Sequence, residues 1–196
     1  MEEIEITYIN IDTQEIEKKL RKLGAEKVGD YHYKRIVFDY PDFRLDKEAA
    51  WVRLRDEGDK ICLTFKQRLG ENLRDKLDGD EGMYEREIVV NDFDATRDIL
   101  LKMGLVEKMY QENKRMRYIL DGVECDIDTW PLLDPYLEVE GNSWDEVYEV
   151  VKKLGLKKED GKKFSTNQIY RINGMDDRNF TKLTFDEQIE RKEERF

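Results

Sequence analysis

Charged side chains of one sign recur two residues apart along this sequence. Residues i and i+2 of a β-strand project from the same face, so each such pair would place two like charges side by side on one strand. Like charges in this arrangement repel each other unless a group of the opposite charge binds them. The basic pairs are Arg53/Arg55, Lys66/Arg68 and Arg115/Arg117, and the acidic pairs are Glu3/Glu5, Glu85/Glu87, Asp126/Asp128 and Glu138/Glu140.

The two kinds of pair suit the two parts of a metal–phosphate complex. Arginine donates two parallel hydrogen bonds to phosphate oxygens, and lysine contributes a point charge. Carboxylate oxygens are the hard ligands that Mg²⁺ and Mn²⁺ prefer, and these ions often bridge substrate phosphates. For any one of these strands alone, a solvated surface is the favoured explanation. All seven strands taken together favour a bound ligand, because each carries charges of one sign whereas soluble proteins mix both signs on a surface.

The pairs lie on segments in which apolar and polar residues alternate, and this alternation predicts about eight β-strands. In one example, Ile61, Leu63 and Phe65 alternate with Cys62, Thr64 and Lys66. Three amphipathic helices separate the strands, each ended by a glycine. They are Thr13–Leu23 before Gly24, Asp94–Met103 before Gly104, and a helix that Ser143 caps and Gly155 ends.

These elements predict an α+β fold built on a closed eight-stranded antiparallel β-barrel. The charged residues would line its interior, and the amphipathic helices would cover its apolar exterior. Residues 1–178 are expected to form this single domain, and residues 179–196 a charged tail with a short helix. A segment that begins at Glu3 also resembles one that begins at Glu85, 82 residues later. This internal similarity has two explanations, a strand–helix–strand unit used twice or a chance likeness of two amphipathic segments.

Composition narrows the classes of function. The chain has 196 residues, of which 39% are hydrophobic and 41% charged, and its net charge of −11 argues against general nucleic-acid binding. No run of apolar residues is long enough to span a membrane, and the first residues lack the pattern of an export signal. Two cysteines, Cys62 and Cys125, are too few for a disulfide framework. We therefore expect a cytoplasmic protein.

In their order along the chain, the charged pairs resemble the signature of the CYTH domain, also called the triphosphate tunnel metalloenzyme family. The resemblance extends from Glu3 to about Asp176. In that family the first strand reads Glu-x-Glu-x-Lys, whereas this chain has Thr7 in place of the lysine. The other motifs are present as Arg53-Leu-Arg55, Lys66, Glu85-Arg-Glu87, Arg115-Met-Arg117, Asp126-Ile-Asp128 and Glu138-Val-Glu140-Gly141.

The resemblance implies a role for each charged group. A tunnel of eight strands would bind a triphosphate through Arg35, Arg53, Arg55, Lys66, Arg115, Arg117 and Lys163. One or two Mg²⁺ or Mn²⁺ ions would bind to Glu3, Glu5, Asp126, Asp128, Glu138 and Glu140. The residues expected to take part in catalysis are Arg53, Arg55, Lys66, Glu85, Glu87 and Asp126.

Three functions are compatible with this family. The first choice is a metal-dependent triphosphatase that acts on inorganic triphosphate, a nucleoside triphosphate or thiamine triphosphate, because hydrolysis demands less of a site than cyclisation. The second is a class IV adenylate cyclase. The third is a protein that binds polyphosphate or nucleotide without turnover, to which Thr7 lends support because it removes a phosphate-binding cation. The expected partner is a small-molecule triphosphate, and the chain is expected to be a monomer or a homodimer.

Overall fold

The structure, a computed structural model, describes residues 4–69 and 83–192. Ten strands and five α-helices lie in this part of the chain, with short 3-10 helices at Lys158–Asp160 and Asp177–Asn179. The strands are β1 Ile4–Tyr8, β2 Glu26–Asp39, β3 Ala50–Asp56, β4 Ile61–Arg68, β5 Met83–Val90, β6 Val106–Leu120, β7 Val123–Thr129, β8 Tyr136–Gly141, β9 Phe180–Leu183 and β10 Gln188–Glu190. The helices are α1 Thr13–Lys22, α2 Arg44–Lys47, α3 Phe93–Lys102, α4 Trp144–Lys153 and α5 Thr166–Ile172.

The prediction of a closed eight-stranded barrel is wrong. Ten strands form one sheet, in which the main hydrogen-bonded order is β1-β8-β7-β6-β2-β3-β4-β5 and the pair β9–β10 joins β6. Within the described residues the two end strands, β1 and β5, do not pair with each other, so the sheet is open. The pairing of β6 with β9 is parallel. Alternation in sequence shows which residues share a face, but closure depends on strand tilt and stagger, which alternation does not encode.

The chain divides into two compact units. The first comprises Met1–Tyr31 and Asn113–Met175, and the second comprises His32–Glu112 and Asp176–Phe196. Strands β2 and β6 each contribute residues to both units. In the described part of the chain, no helix is both long and apolar enough to cross a membrane.

In the first unit, helices α1 and α4 pack against the apolar face of the strands. Ile16 and Leu20 of α1 and Val147 and Leu154 of α4 are buried in this core. They meet the alternating apolar residues of the four strands, which are Ile6, Tyr8, Tyr118, Leu120, Val123, Cys125, Ile127, Leu137 and Val139. Because the apolar phase of each strand is covered in this way, the charged phase of β1, β8, β7 and β6 is directed to the opposite face.

The second unit repeats this design with helix α3. Leu100 of α3 and Leu105 pack on Ile36, Phe38 and Leu54, and Val52, Ile61, Leu63 and Val90 border the same core. The opposite phase of β3, β4 and β5 therefore carries Arg53, Arg55, Lys66, Glu85 and Glu87. Each unit thus has one apolar face under helices and one charged face.

The three predicted helices are confirmed, and their ends follow capping rules. The side chains of Asp12, Asp92 and Ser143 accept hydrogen bonds from backbone N–H groups in the first turns of α1, α3 and α4. After α1 and α3 the chain turns through Gly24 and Gly104, whose φ angles are +82° and +93°. This left-handed conformation ends a helix at little cost only for glycine.

Some segments differ from expectation. Strands β2 and β6 have 14 and 15 residues, although only 34–39 and 114–120 show the alternation of a strand. In the tail, for which a short helix was expected, the described residues form β9 and β10. The expected loop at Arg68–Met83 lies largely outside the described residues, which omit 70–82.

Asp39 anchors the connection that leads from β2 to β3 and so to the arginines of the second unit. This carboxylate is fully buried. It accepts hydrogen bonds from the backbone N–H groups of Tyr40 at 2.7 Å, Leu45 at 3.0 Å and Asp46 at 3.0 Å. The ammonium of Lys108 lies 3.9 Å from Asp39 Oδ2. One buried carboxylate therefore fixes helix α2 to the end of β2.

We predict that Asp39→Ala lowers the free energy of unfolding by about 3 kcal/mol, because buried N–H donors lose their acceptor. Asp42→Ala is the matched control, since Asp42 is exposed and bonds only to Arg44 in the described residues. It should leave stability unchanged. Urea titration of the two variants and the parent chain measures the difference. Equal stabilities of the two variants would contradict the role of Asp39.

Candidate functional site

The charged face of the first unit is organised in rows that cross β1, β8, β7 and β6. Directly opposed residues of antiparallel strands share a face, so the register gives the order within each row. The first row consists of three carboxylates, those of Glu5, Glu140 and Glu124. The second row contains Thr7, Glu138, Asp126 and Arg117, and the third contains Tyr136, Asp128 and Arg115.

Arg115 is the central cation of this face. Its guanidinium lies 2.7 Å from Asp126 Oδ2, and it donates to Asp128 Oδ1 at 2.7 Å and to Glu138 Oε2 at 2.7 Å. Arg117 holds Asp126 from the other side through bonds of 2.9 and 2.7 Å. Arg115 and Arg117, two of the expected phosphate-binding residues, are therefore bound to three of the expected metal ligands.

The electrostatics of this face are set by an excess of carboxylates. Burial and the neighbouring Asp128 raise the pKa of Glu138 well above its usual range, although Arg115 opposes the shift. The pKa of Arg115 is in turn raised well above its usual value by Asp128 and Glu138, against the effect of its burial. Six carboxylates and two arginines share the three rows. The face can therefore accept further positive charge.

The carboxylates match a divalent metal ion in chemistry but not in their present geometry. Oxygen ligands of this kind suit Mg²⁺ and Mn²⁺. Within the described residues, however, no three His, Cys, Asp or Glu side chains converge where they could hold an ion. Instead, Asp126, Asp128 and Glu138 surround Arg115. Glu3, another expected ligand, lies outside the described residues.

The second unit brings its own charged residues into a separate cluster. Across β3, β4 and β5 the register places Trp51 beside Lys66 and Glu85, and it places Arg53 beside Thr64 and Glu87. Arg35 of β2 lies opposite Arg55 of β3. Four cations therefore share this face with the three carboxylates of Glu57, Glu85 and Glu87.

Ion pairs connect the carboxylates of this cluster to its cations. Glu87 Oε2 accepts a hydrogen bond from the Thr64 hydroxyl at 2.7 Å and lies 3.7 Å from Arg53 Nη2 and 3.9 Å from Arg55 Nη2. Glu57 also pairs with Arg55. Lys66 lies 2.8 Å from Glu85 in a separate pair. The carboxylates contact Arg53 and Arg55 through Nη2 of each guanidinium and Lys66 through its ammonium, and so hold the three cations in position.

In the described residues, one hydrogen-bond donor on each of the two arginines of β3 lacks an acceptor. Burial and the adjacent charge of Arg55 lower the pKa of Arg53 to about 10. In the described residues the Nε–H groups of Arg53 and Arg55 are buried without a hydrogen-bond acceptor. A buried donor without an acceptor is costly, and two such donors on neighbouring cations favour binding of an anion with several oxygens.

Several residues of these clusters were not among the site residues predicted from the sequence. Thr64 lies in phase with Lys66, so extending the strand's alternation would have found it. Glu124 likewise precedes Asp126 by two residues and bonds to Arg117 at 3.0 Å. Glu57 follows Arg55 by two residues, so extending the same spacing one step past the end of β3 would have reached it.

Lys163 lies on the other side of β1 from the carboxylates. Its ammonium is 4.7 Å from the ring centroid of Trp144 in α4. A cavity of about 670 Å³ borders this region, lined by Ile6, Tyr148 and Lys158 as well as by Trp144, Glu159, Gly161, Lys162 and Lys163. Its lining has three lysines but only one carboxylate, that of Glu159, and lacks the paired arginines and carboxylates of the two charged faces, which are therefore the better candidate site. Binding of substrate by Lys163 stays a prediction.

Comparison with known proteins supports the resemblance seen in the motifs. A model of the CYTH domain matches residues 1–171. The chain belongs to the CYTH domain family. This CYTH protein is 28% identical over 170 residues to a Methanocaldococcus jannaschii protein that carries the provisional name of an adenylate cyclase, with 81% of this chain and 93% of the relative covered.

Solved structures share the fold of this CYTH protein. The PH1012 protein of Pyrococcus horikoshii OT3 aligns with a TM-score of 0.65 and 21% identity, over 85% of this chain and 98% of the other. A provisional adenylyl cyclase from Hippeastrum, for which a dominant triphosphatase activity is stated, aligns with a TM-score of 0.62 and 18% identity, over 88% and 96% of the two chains.

The raised pKa of Glu138 predicts a pH-dependent stability. Because the pKa of Glu138 is higher in the folded chain than in the unfolded chain, the contribution of this group to stability is complete below the unfolded pKa and is lost as pH rises through the folded pKa. Without added metal, Glu138→Gln should therefore unfold at a higher temperature than the parent chain at about pH 8, and this advantage should shrink toward about pH 4.

Thermal unfolding in the presence of a chelator measures this difference at each pH. Glu159→Gln is the control, since Glu159 is exposed and has no ion pair in the described residues. An advantage of Glu138→Gln that stays constant with pH, or a loss of stability near pH 8, would refute the raised pKa of Glu138.

Proposed function

We propose that this CYTH protein is a metal-dependent phosphohydrolase that acts on a triphosphate group. The observation that carries the proposal is the pair of buried Nε–H donors of Arg53 and Arg55. They lie on adjacent positions of one strand face, next to Lys66, and the carboxylates around them leave these donors unfilled. A triphosphate offers the dense array of oxygens and negative charge that such donors require.

The residues of the second unit take distinct roles in this proposal. Arg53, Arg55 and Lys66 bind phosphate oxygens, and Arg35, opposite Arg55, adds positive charge beside them. In hydrolysis, water attacks the terminal phosphorus and gives up a proton to solvent, the bond to the bridging oxygen breaks, and negative charge grows on the leaving diphosphate group. Cations held in place before the reaction stabilise this charge without reorganisation.

Glu85 and Glu87 act as positioning residues. Glu85 fixes the Lys66 ammonium through a contact of 2.8 Å. Glu87 lies between the two arginines, and the hydrogen bond from Thr64 and the charge of Arg55 lower its pKa despite the opposing effect of burial. It therefore stays ionised at neutral pH and keeps both guanidinium groups oriented.

Metal dependence is part of the proposal and rests on the first unit. The row formed by Glu5, Glu140 and Glu124 sets three carboxylates side by side. Like charges in this arrangement are destabilising, so a divalent cation would relieve their repulsion. Glu5 and Glu140 are the ligands we propose, with Glu138 in the next row as a third.

Adenylate cyclase is the second candidate, because the Methanocaldococcus jannaschii relative carries that name. Both reactions require cations around a triphosphate, and they differ in the nucleophile. Water at the terminal phosphorus releases inorganic phosphate, whereas a ribose hydroxyl at the α-phosphorus releases pyrophosphate and a cyclic nucleotide. The products therefore separate the two functions.

The test incubates the full chain with Mg²⁺ or Mn²⁺ and with inorganic triphosphate, ATP or thiamine triphosphate. We expect release of inorganic phosphate, and a loss of about 100-fold or more in kcat/KM for Arg53→Ala, because a buried cation that stabilises the transition state is removed. Arg86→Ala is the matched control. Arg86 is exposed on β5 and projects from the opposite face to Glu85 and Glu87, so kcat/KM of this variant should equal that of the parent chain.

Three results would count against the proposal. Cyclic AMP and pyrophosphate from ATP would establish the cyclase instead. Tight binding without turnover of any substrate would establish a binding protein. Full activity in the presence of a chelator would remove the metal from the proposal.

A further inference from the structure

The carboxylate of Glu87, which contacts both arginines of β3, lies at a weakly supported place in the sheet. Its strand, β5, is an end strand of the sheet in the described residues, and its side chain is 31% exposed. Its contacts with Arg53 and Arg55 measure 3.7 and 3.9 Å, which is too long for hydrogen bonds. The orientation of this carboxylate therefore depends on donors from the neighbouring strand β4.

Strand β4 presents two such donors to the carboxylate. Thr64 lies directly opposite Glu87, and its hydroxyl donates to Glu87 Oε2 at 2.7 Å. Cys62 precedes Thr64 by two residues, so its side chain projects from the same face of the strand. The thiol of Cys62 donates a second hydrogen bond to Glu87. The carboxylate is thus held from two successive positions of one strand face.

The register places Cys62 in the row of the sheet that contains Arg55. Arg55 of β3 lies directly opposite Cys62, and Val89 of β5 lies opposite Cys62 on its other side. Arg35 of β2 lies beyond Arg55 in the same row. Cys62 is 0% exposed, so water does not compete for its S–H group. A neutral donor is therefore buried among the cations of this face.

The protonation state of Cys62 suits a hydrogen-bond donor and not a nucleophile. Burial, together with the charges of Glu57 and Glu87, raises the pKa of Cys62 to about 11. The thiol therefore keeps its proton at neutral pH, whereas reactive cysteines have a lowered pKa. The other cysteine of the chain, Cys125, is equally buried but lies in the apolar core of the first unit. The two cysteines thus differ in their surroundings and not in their burial.

We propose that Cys62 is a positioning residue for hydrolysis of the triphosphate, and that it acts through Glu87. Its thiol and the Thr64 hydroxyl fix the carboxylate, and the carboxylate in turn orients the guanidinium groups of Arg53 and Arg55. Cysteine fits this place because its side chain is small enough to be buried between strands and still carries a donor. This inference rests on the proposed function and adds to it a residue that does not itself touch substrate.

The test compares Cys62→Ala with Cys125→Ala in the full chain. Both replacements remove a fully buried thiol, so they are matched in chemistry and in burial. With Mg²⁺ and inorganic triphosphate, Cys62→Ala should lower kcat/KM by about threefold to tenfold, the effect of losing one hydrogen bond of ordinary strength. Cys125→Ala should leave kcat/KM unchanged. Thermal unfolding confirms that each variant is folded.

Cys62→Ser distinguishes a donor from a side chain that only fills space. Serine differs from alanine by one hydroxyl group, which can donate to Glu87 in place of the thiol. Cys62→Ser should therefore retain the kcat/KM of the parent chain. If Cys62 only filled space, serine would be no better than alanine, because a buried hydroxyl without a partner is costly.

A double-mutant cycle with Glu87→Ala tests whether the thiol acts through the carboxylate. Once Glu87 is removed, Cys62→Ala should cause no further loss of kcat/KM, because no carboxylate is left to position. Losses that multiply would show that the two residues act independently, and so would contradict the proposal.

Infrared spectra supply a readout that needs no substrate. The chain has two cysteines, so Cys125→Ala leaves Cys62 as the source of the S–H stretching band. A donated hydrogen bond weakens the S–H bond and lowers the frequency of this band. The band should therefore move to higher frequency when Glu87→Ala is added to Cys125→Ala.

The outcomes separate this inference from the function on which it rests. A band that does not respond to Glu87→Ala overturns the hydrogen bond and hence the role of Cys62, whatever the activity. A band that responds in a parent chain that hydrolyses no triphosphate overturns the proposed function and the role together. In an active chain, Cys62→Ala as active as the parent, or Cys62→Ser as impaired as Cys62→Ala, overturns only the role of Cys62.

Discussion

The guanidinium of Arg115 holds the first unit's charged face together. Three carboxylates from two neighbouring strands contact it, and their mutual repulsion would otherwise oppose the pairing of β7 with β8. Removal of one partner from a buried ion network costs about 3–5 kcal/mol, because the remaining charges stay buried. Asp126 and Asp128 are held by arginine, and Glu5 and Glu140 lie opposite each other in the adjacent row.

The second unit has the opposite balance. Its arginines outnumber the carboxylates that orient them, and buried Nε–H groups on Arg53 and Arg55 are left for a ligand. Such a cluster is stable because Glu57 and Glu87 hold each guanidinium by one edge. One charged face thus has an excess of carboxylates and the other an excess of cations, and helices cover the apolar face of each unit.

The local elements followed from the sequence to a large extent. Period-two alternation located strands such as β3 and β4, and the caps Asp12 and Ser143 located helices, because these signals act between near neighbours. The first halves of β2 and β6 show no alternation. Pairing with adjacent strands makes them extended, and that information is distant in sequence. Closure of the sheet failed as a prediction for the same reason, since it depends on how edge strands meet.

The sequence by itself determined which side chains share a face, the family to which the chain belongs and the absence of a lysine at Thr7. Tertiary structure decided which charges touch. It set Arg115 among Asp126, Asp128 and Glu138, and it brought Lys162 opposite Thr7 although 155 residues separate them in the chain. The physical reason is that strand faces follow from the alternation of one strand, whereas contacts between strands depend on register and close packing. At Gly161, one missing Cβ permits a contact that no periodicity in the sequence records.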